Sequence, residues 1–207
     1  MPKTQPLDVP SPIDLTLPEA AAEWERTAME KRPWRVEFFE YFFFEIAKFP
    51  GAASILELGS GPGFLADHLL SRLPLASITL LDFSPPMHAL AKARLASLGS
   101  RATFVLGDFK TSNWSVGLGA FDFVVTNQAV HELRHKRHAS TLHQQVKPLL
   151  RGTGSYLVCD HYVGEDGMRN DQLYMSVAEQ RQALLAAGFP NVVEVKRKGG
   201  LVLHSAA

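Results

Sequence analysis

The stretch from Ile55 to Gly63 constrains the fold more than any other part of the chain. Ile55-Leu56-Glu57-Leu58 is a short apolar run of the kind a buried strand needs. Gly59, Gly61 and Gly63 follow at once, and Phe64-Leu65-Ala66-Asp67-His68-Leu69-Leu70 then takes up helical spacing. A loop between such a strand and helix favours glycine, because the backbone must turn tightly and approach a ligand with no Cβ in the way. Strand, glycine loop and helix in that order open a βαβ unit and commit the chain to a parallel sheet.

The rest of the chain continues the alternation. Short apolar runs predict strands near 54–58, 77–82, 102–106, 121–126 and 154–160, with helices near 63–72, 86–98 and 136–150 between them. Ser176 followed by Glu179 matches a capping box for a last helix to Ala187, and Gly188 supplies its stop. Val192–Val195 and Leu201–Leu203, separated by Lys198-Gly199-Gly200, read as a terminal β-hairpin. At 207 residues there is room for one α/β domain and a small extension. The division expected is a flexible proline-rich arm over 1–18, an N-terminal helical cap over 19–50, and the α/β domain over 51–207. Pro2, Pro6, Pro10, Pro12 and Pro18 keep the arm out of helix and sheet interiors. The cap carries Phe38-Phe39 and Tyr41-Phe42-Phe43-Phe44, a helix apolar most of the way round that must be covered on more than one side.

Charge narrows the partners. Lys plus Arg and Asp plus Glu are each 21, so no net field gathers polyanions, and nucleic acid is not expected as a partner. There is no signal-like leader and no long uninterrupted apolar run, so the reading is no membrane partner and a cytoplasmic protein, with a homodimer left open. The single cysteine, Cys159, lies in an apolar run and fits a reducing compartment.

The glycine loop is only the first part of the dinucleotide pattern, since the third glycine is missing and Pro62 intervenes. Its company says more. Ile78-Thr79-Leu80-Leu81 ends in Asp82, where a carboxylate can accept hydrogen bonds from both hydroxyls of a ribose or can cap the next helix. The third strand runs into Gly107-Asp108-Phe109, where Asp108 could equally be a turn residue, and the fourth reads Phe121-Asp122-Phe123-Val124-Val125-Thr126-Asn127. Glu57, Asp82, Asp108 and Asn127 thus fall at the C-terminal ends of successive strands, on one rim of the sheet.

Glu57-Leu58-Gly59-Ser60-Gly61-Pro62-Gly63, with Asp82-Phe83-Ser84-Pro85-Pro86-Met87, Gly107-Asp108-Phe109 and the run Phe121…Ala129-Val130-His131-Glu132-Leu133, resembles class I S-adenosylmethionine-dependent methyltransferases of the small-molecule, quinone-biosynthesis-like branch. The resemblance covers about residues 52–206. It implies a Rossmann-like α/β fold, with a seven-stranded, mostly parallel sheet, a C-terminal antiparallel hairpin, helices on both faces and an N-terminal helical cap. It also implies S-adenosyl-L-methionine as cofactor and S-adenosyl-L-homocysteine as product. Glu57, Gly59, Ser60, Gly61 and Gly63 would hold the amino-acid end, Asp82 the ribose, and Phe83, Met87, Asp108 and Phe109 the adenine side. Asn127 and Gln128 would complete the cofactor wall.

A competing motif lies in the same run, because His131-Glu132-Leu133-Arg134-His135 is a literal H-E-x-x-H. A zinc hydrolase needs both histidines on one turn of a continuous helix, whereas the family pattern puts a loop at 134–137, and Arg134, Lys136 and Arg137 would repel a cation. The zinc reading is therefore disfavoured. Magnesium-dependent methyltransferases place acidic groups at the ends of strands four and five; Asn127 and Asp160-His161 depart from that pattern, so no metal is expected. His131 is the first candidate for a general base and His161 the second, since imidazole titrates near neutrality. The other histidines read as solvated surface. Without a base-methylating Asn-Pro-Pro or a Pro-Cys nucleophile, the expected reaction is O- or N-methylation of a small-molecule acceptor. A protein side-chain methyltransferase and a catalytically silent binding module remain as alternatives. The connection after strand five is short, so the cap becomes the expected cover over the acceptor, with Trp24, Arg35 and Tyr41 as candidate wall residues.

Overall fold

The computed structural model describes residues 7–207; the first six residues of the expected arm lie outside the described part. Two helices, α1 (Pro18–Lys31) and α2 (Arg35–Ala47), precede β1 (Ser54–Leu58), α3 (Phe64–Arg72), β2 (Ser77–Asp82), α4 (Pro85–Arg94) and β3 (Ala102–Leu106). Then follow β4 (Phe121–Asn127), α5 (Ala139–Val146), β5 (Leu150–His161), α6 (Val177–Ala186), β6 (Val192–Lys198) and β7 (Leu201–Ala206).

The seven strands form one sheet in the order β3-β2-β1-β4-β5-β7-β6. β1 through β5 pair in parallel, and β7 inserts antiparallel between β5 and β6. The strand order reverses between β1 and β4, and in open α/β sheets ligands bind in the crevice beyond the strand ends at such a point. Helices cover both faces, which is why β1 and β4 are apolar almost throughout and buried on both sides. One core joins Phe38, Phe42, Leu65, Leu69 and Ile55; the other joins Leu142, Val146, Tyr156, Leu184 and Phe189.

The aromatic run of α2 is divided as helical geometry requires. Phe38, Phe39, Phe42 and Ile46 face the core, while the Arg72 guanidinium lies 3.8 Å from the Phe43 ring and the Lys196 ammonium 5.0 Å from that of Tyr41. Tyr41 is thus part of the α2–β6 contact and does not reach the rim, contrary to its expected place in the acceptor wall.

Local chemistry ends the elements. Ser176 and Glu179 make a reciprocal capping box at α6, with Ser176 Oγ accepting from the Glu179 N–H at 3.2 Å and Glu179 Oε2 accepting from the Ser176 N–H at 2.7 Å. Gly199 and Gly200, at φ +56° and +77°, form the two-residue turn of the β6–β7 hairpin, and a Cβ on Gly199 would meet the Trp34 ring at 2.6 Å. α5 is shorter than its sequence pattern suggests, because Pro148 lacks an N–H for Gln144 and tightens the last turn to 3-10 geometry.

Several histidines expected on the surface are buried. His143 joins Leu142 and Val146 on the packed face of α5, and His204 lies on β7 between two strands; His88 and His135 are buried as well. Their polar ends mask positions that the packing treats as apolar.

Candidate active site

A cavity of about 280 Å³ opens at the reversal point, between the strand ends and α1. Its floor is made by the first βα turn. Gly59, at φ +65°, brings the backbone so close to the β4 side that a Cβ there would lie 2.5 Å from the Cβ of Ala129. Gly63, also left-handed, is the N-cap of α3 and does not line the cavity, whereas Glu57, Gly59, Ser60 and Gly61 do.

Asp82 closes one side. Its carboxylate accepts from the Gly61 N–H at 2.7 Å and the Ser84 N–H at 2.9 Å, tying the ends of β1 and β2 into one wall. Burial raises its pKa, opposed by those backbone donors. Glu57 is fully buried, and burial together with the nearby Asp82 pushes its pKa well up. Phe83 and Met87 continue the same wall, and Asn127 and Gln128 stand opposite at the end of β4.

Two residues expected here are displaced. The Asp108 side chain turns back to accept from the Lys110 N–H at 2.9 Å, and Phe109 packs beneath Gly59, so neither lines the cavity. Asp108 is still near enough for its charge to raise the pKa of Asp82.

The far end holds the two candidate bases. His131 is clamped to the end of β5: its N–H donates to Asp160 Oδ2 and its Nδ1 lies 2.7 Å from Asp160 Oδ1. Its Nε2 is 3.4 Å from Glu132 Oε1. Burial disfavours the imidazolium, but Asp160 and Glu132 outweigh it and raise the pKa of His131 to about 10. His161, whose ring centroid is 5.3 Å from that of His131, is instead held neutral by burial, with its pKa lowered to about 4. Tyr174 completes a triangle of rings with them.

The H-E-x-x-H spacing does not become one helical turn. The 3-10 turn Val130–Leu133 ends at Arg134, which is left-handed at φ +66°, and His135 begins a separate turn where its Nδ1 accepts from the Arg137 N–H. His131 and His135 therefore lack the shared helical face that a zinc hydrolase requires.

Sequence reasoning missed part of the enclosure. Leu15, Lys31, Arg32, Glu132 and Tyr174 also line the cavity, alongside the expected Trp24 and Arg35. The described part of the N-terminal arm is tied down at both ends of its crossing. Val9 N–H donates to Arg134 O, Arg134 donates back to Val9 O and Pro10 O, and Ser84 Oγ donates to Leu15 O. No motif marks these contacts; they depend on where the arm lands. Asp160 did carry a signal, as an acid at a strand end beside a candidate base.

Buried polar atoms normally have partners. Along this one cavity, Glu57 Oε2, Ser60 Oγ, Asn127 Oδ1, Gln128 Nε2 and His161 Nδ1 have none. A wall of that kind fits a polar ligand of S-adenosylmethionine's make-up, with an ammonium for the acidic groups and ribose hydroxyls for Asp82.

The fold is the Rossmann-like fold of methyltransferases, and the lining of the cavity fits S-adenosylmethionine. Residues 55–154 match the family described as a methyltransferase domain. The DhpI–SAH complex has the same fold over 92% of this chain and 92% of its own, with TM-score 0.72 and 20% identity. A malonyl-[acyl-carrier protein] O-methyltransferase from Magnetococcus marinus is 32% identical over 81 residues, covering 39% of this chain and 29% of that relative. The ribosomal RNA small subunit methyltransferase C of Klebsiella pneumoniae is 35% identical over 79 residues, covering 38% of this chain and 22% of its own. The matches span under a third of these curated relatives. The acceptors named for these relatives, a malonyl-[acyl-carrier protein] and a ribosomal RNA, differ.

Among the described residues, no helix is long and apolar enough to cross a membrane.

Proposed function

We propose that this protein transfers the methyl group of S-adenosylmethionine to an oxygen of a small-molecule acceptor, with His131 as general base and Asp160 as the residue that positions it. The observation that carries this reading is the His131–Asp160 pair on the cavity wall. A neutral amine can attack a methyl sulfonium directly, whereas a hydroxyl must lose its proton, so a built imidazole–carboxylate pair favours oxygen. When bound, the cofactor supplies an electrophilic methyl group on a sulfonium.

The chain does the rest by positioning. Glu57, Gly59, Ser60 and Gly61 face the amino-acid end, Asp82 the ribose, and Phe83 and Met87 the adenine side, while Asn127 and Gln128 close the wall. Asp160 accepts the Nδ1 proton of His131, fixing the tautomer whose Nε2 can take the acceptor's proton. His161, neutral and adjacent, is the second candidate for that step. Leu15, Trp24 and Tyr174 restrict water. No protein group here is assigned to a metal. The balanced charge and the enclosed cavity support a small molecule over nucleic acid, and the buried Cys159 is compatible with a reducing cytoplasm.

The test is methyl transfer from labelled S-adenosylmethionine to a panel of small hydroxylated and carboxylated compounds, with and without chelator. Chelator-insensitive labelling of an oxygen acceptor, lost in His131→Gln, is the expected result. Labelling confined to amines, or unaffected by His131→Gln, contradicts it.

A further inference from the structure

Tyr156, Val158 and Asp160 alternate along β5 and so share one face of the sheet, the face packed by Leu142 of α5 and Leu184 of α6. His143 enters this layer from α5. It is buried, its ring centroid lies 5.5 Å from that of Tyr156, and its Nδ1 has no hydrogen-bond partner. A polar atom buried in that way is costly, and the proton transfer assigned to His131 makes no use of it. A small cavity of about 10 Å³ is lined by Asp160, His143 and Gln180 among Val130, Val158 and Leu184. That is roughly the room one water needs, and a buried water also needs at least two polar partners. Asp160 can supply one, because a carboxylate has about four acceptor positions. Three donors are already on it: the His131 N–H, the His131 ring at Nδ1, and the His161 N–H. His143 can supply another, since burial holds its ring neutral, with the pKa lowered to about 4, and a neutral imidazole has one accepting nitrogen. Gln180 donates one amide hydrogen to His161 O at 2.8 Å, and its amide has a second.

We propose that this cavity binds one water, which donates to the Asp160 carboxylate and to His143 Nδ1, and that His143 thereby positions the His131–Asp160 pair from behind. The inference rests on the reading of His131 and Asp160 as the base and its positioning residue. The water completes the acceptor set of Asp160 and shares its charge. Without it, the carboxylate holds the proton on His131 more tightly. Other charged and titratable groups surround the pair: Glu132 and Arg134 on the His131 turn, His161 on β5, Tyr174 in the loop after it, Lys136 beside Asp160, and Arg32 of α1. None of these lines the cavity at His143, so the influence of His143 on His131 runs through Asp160. On the His143 side stand Tyr156 and, on β7, His204.

Two measurements on the full chain test this. The first is a wild-type crystal structure at a resolution that shows ordered water, in which one water is expected within hydrogen-bond distance of both Asp160 and His143 Nδ1. The second is the titration of the His131 ring, followed by NMR and by the ascending limb of the kcat/KM profile, in wild type, His143→Phe, His143→Asn and His204→Asn. Phe fills the space of the ring without its nitrogen, whereas Asn returns a polar atom close to where Nδ1 lies. His204 is a buried histidine opposite Val158 that does not line the cavity, so its variant reads a purely structural effect. The expected result is a midpoint about one pH unit higher in His143→Phe, restored in His143→Asn and unmoved in His204→Asn. The inference is overturned if folded His143→Phe titrates like wild type, or if His204→Asn shifts the midpoint equally. A crystal structure with no water joining Asp160 to His143 overturns it too, even where no variant folds. If His143→Phe moves the NMR titration while His131→Gln leaves methyl transfer unaffected, the water site stands and the general-base reading falls.

Discussion

Asp160 Oδ1 and His131 Nδ1 lie 2.7 Å apart, joining the end of β5 to the first turn after β4. The same carboxylate also accepts the backbone N–H of His131 and that of His161. One buried acid thus fixes the candidate base through both ring and backbone, and holds the second histidine beside it.

This arrangement predicts unequal effects of two substitutions. His131→Gln lowers kcat by about 10²- to 10⁴-fold, the usual range for a general base, and leaves S-adenosylhomocysteine affinity within a few-fold. Asp160→Asn lowers kcat less and also shifts the ascending limb of the pH profile to lower pH, because the imidazolium loses its main stabilising charge. Steady-state kinetics across pH check both. An unshifted profile in Asp160→Asn would show that the carboxylate only holds the fold.

The pH dependence of the wild type has a definite sign. With its pKa raised to about 10 in the free protein, His131 carries a proton at neutral pH, and only the neutral form can act as base. The ratio kcat/KM therefore rises with pH through neutrality and levels off toward about 10. A profile that instead levels off near pH 4, following His161, would move the role to that residue.

Stability should peak near neutrality. His143, His161 and His204 are buried and neutral, each with its pKa lowered to about 4 from an unfolded value of 6.5. Their contribution is present above 6.5 and lost as pH falls toward 4, because the unfolded chain binds protons first. The raised pKa of His131 works in the opposite direction: its contribution is complete below 6.5 and lost as pH rises through about 10. Thermal unfolding between pH 4 and 10 checks this, and Asn in place of His204 should flatten the acid limb. A wild-type melting temperature that does not fall from pH 6.5 to 4 would be inconsistent with buried neutral histidines.

Gly59→Ala tests the floor of the site. The residue would have to hold φ +65° and put its Cβ 2.5 Å from that of Ala129. A loss of about 1–3 kcal/mol is expected from the conformation alone, with weakened cofactor binding beyond it. Circular dichroism melts and calorimetry read the two effects separately.

The sheet was legible because its signals are local: β1, β2 and β3 fall where their apolar runs predict, and the hairpin turn follows from Gly199-Gly200. The rim residues Glu57, Asp82 and Asn127 were legible for the same reason, since strand ends in a parallel sheet share one edge. What escaped depends on packing between distant segments. The fit of Leu15 against Ser84, the crossing of Val9 over Arg134, and the entry of Tyr174 have no sequence spacing that encodes them. Asp108 looked like its neighbours on the rim, but its turn to the Lys110 N–H is a local choice that the sequence leaves open. Tyr41 was misplaced because an aromatic run does not say which ring faces which neighbour.

The most direct test of the account is the affinity for S-adenosylhomocysteine of wild type against Asp82→Ala. The account predicts one site per chain in the wild type and a loss on the order of 10- to 100-fold in the variant, from a charged hydrogen-bond acceptor at the ribose. No binding by the wild type, or equal affinity in a folded variant, would contradict the placement of the cofactor at the ends of β1 and β2.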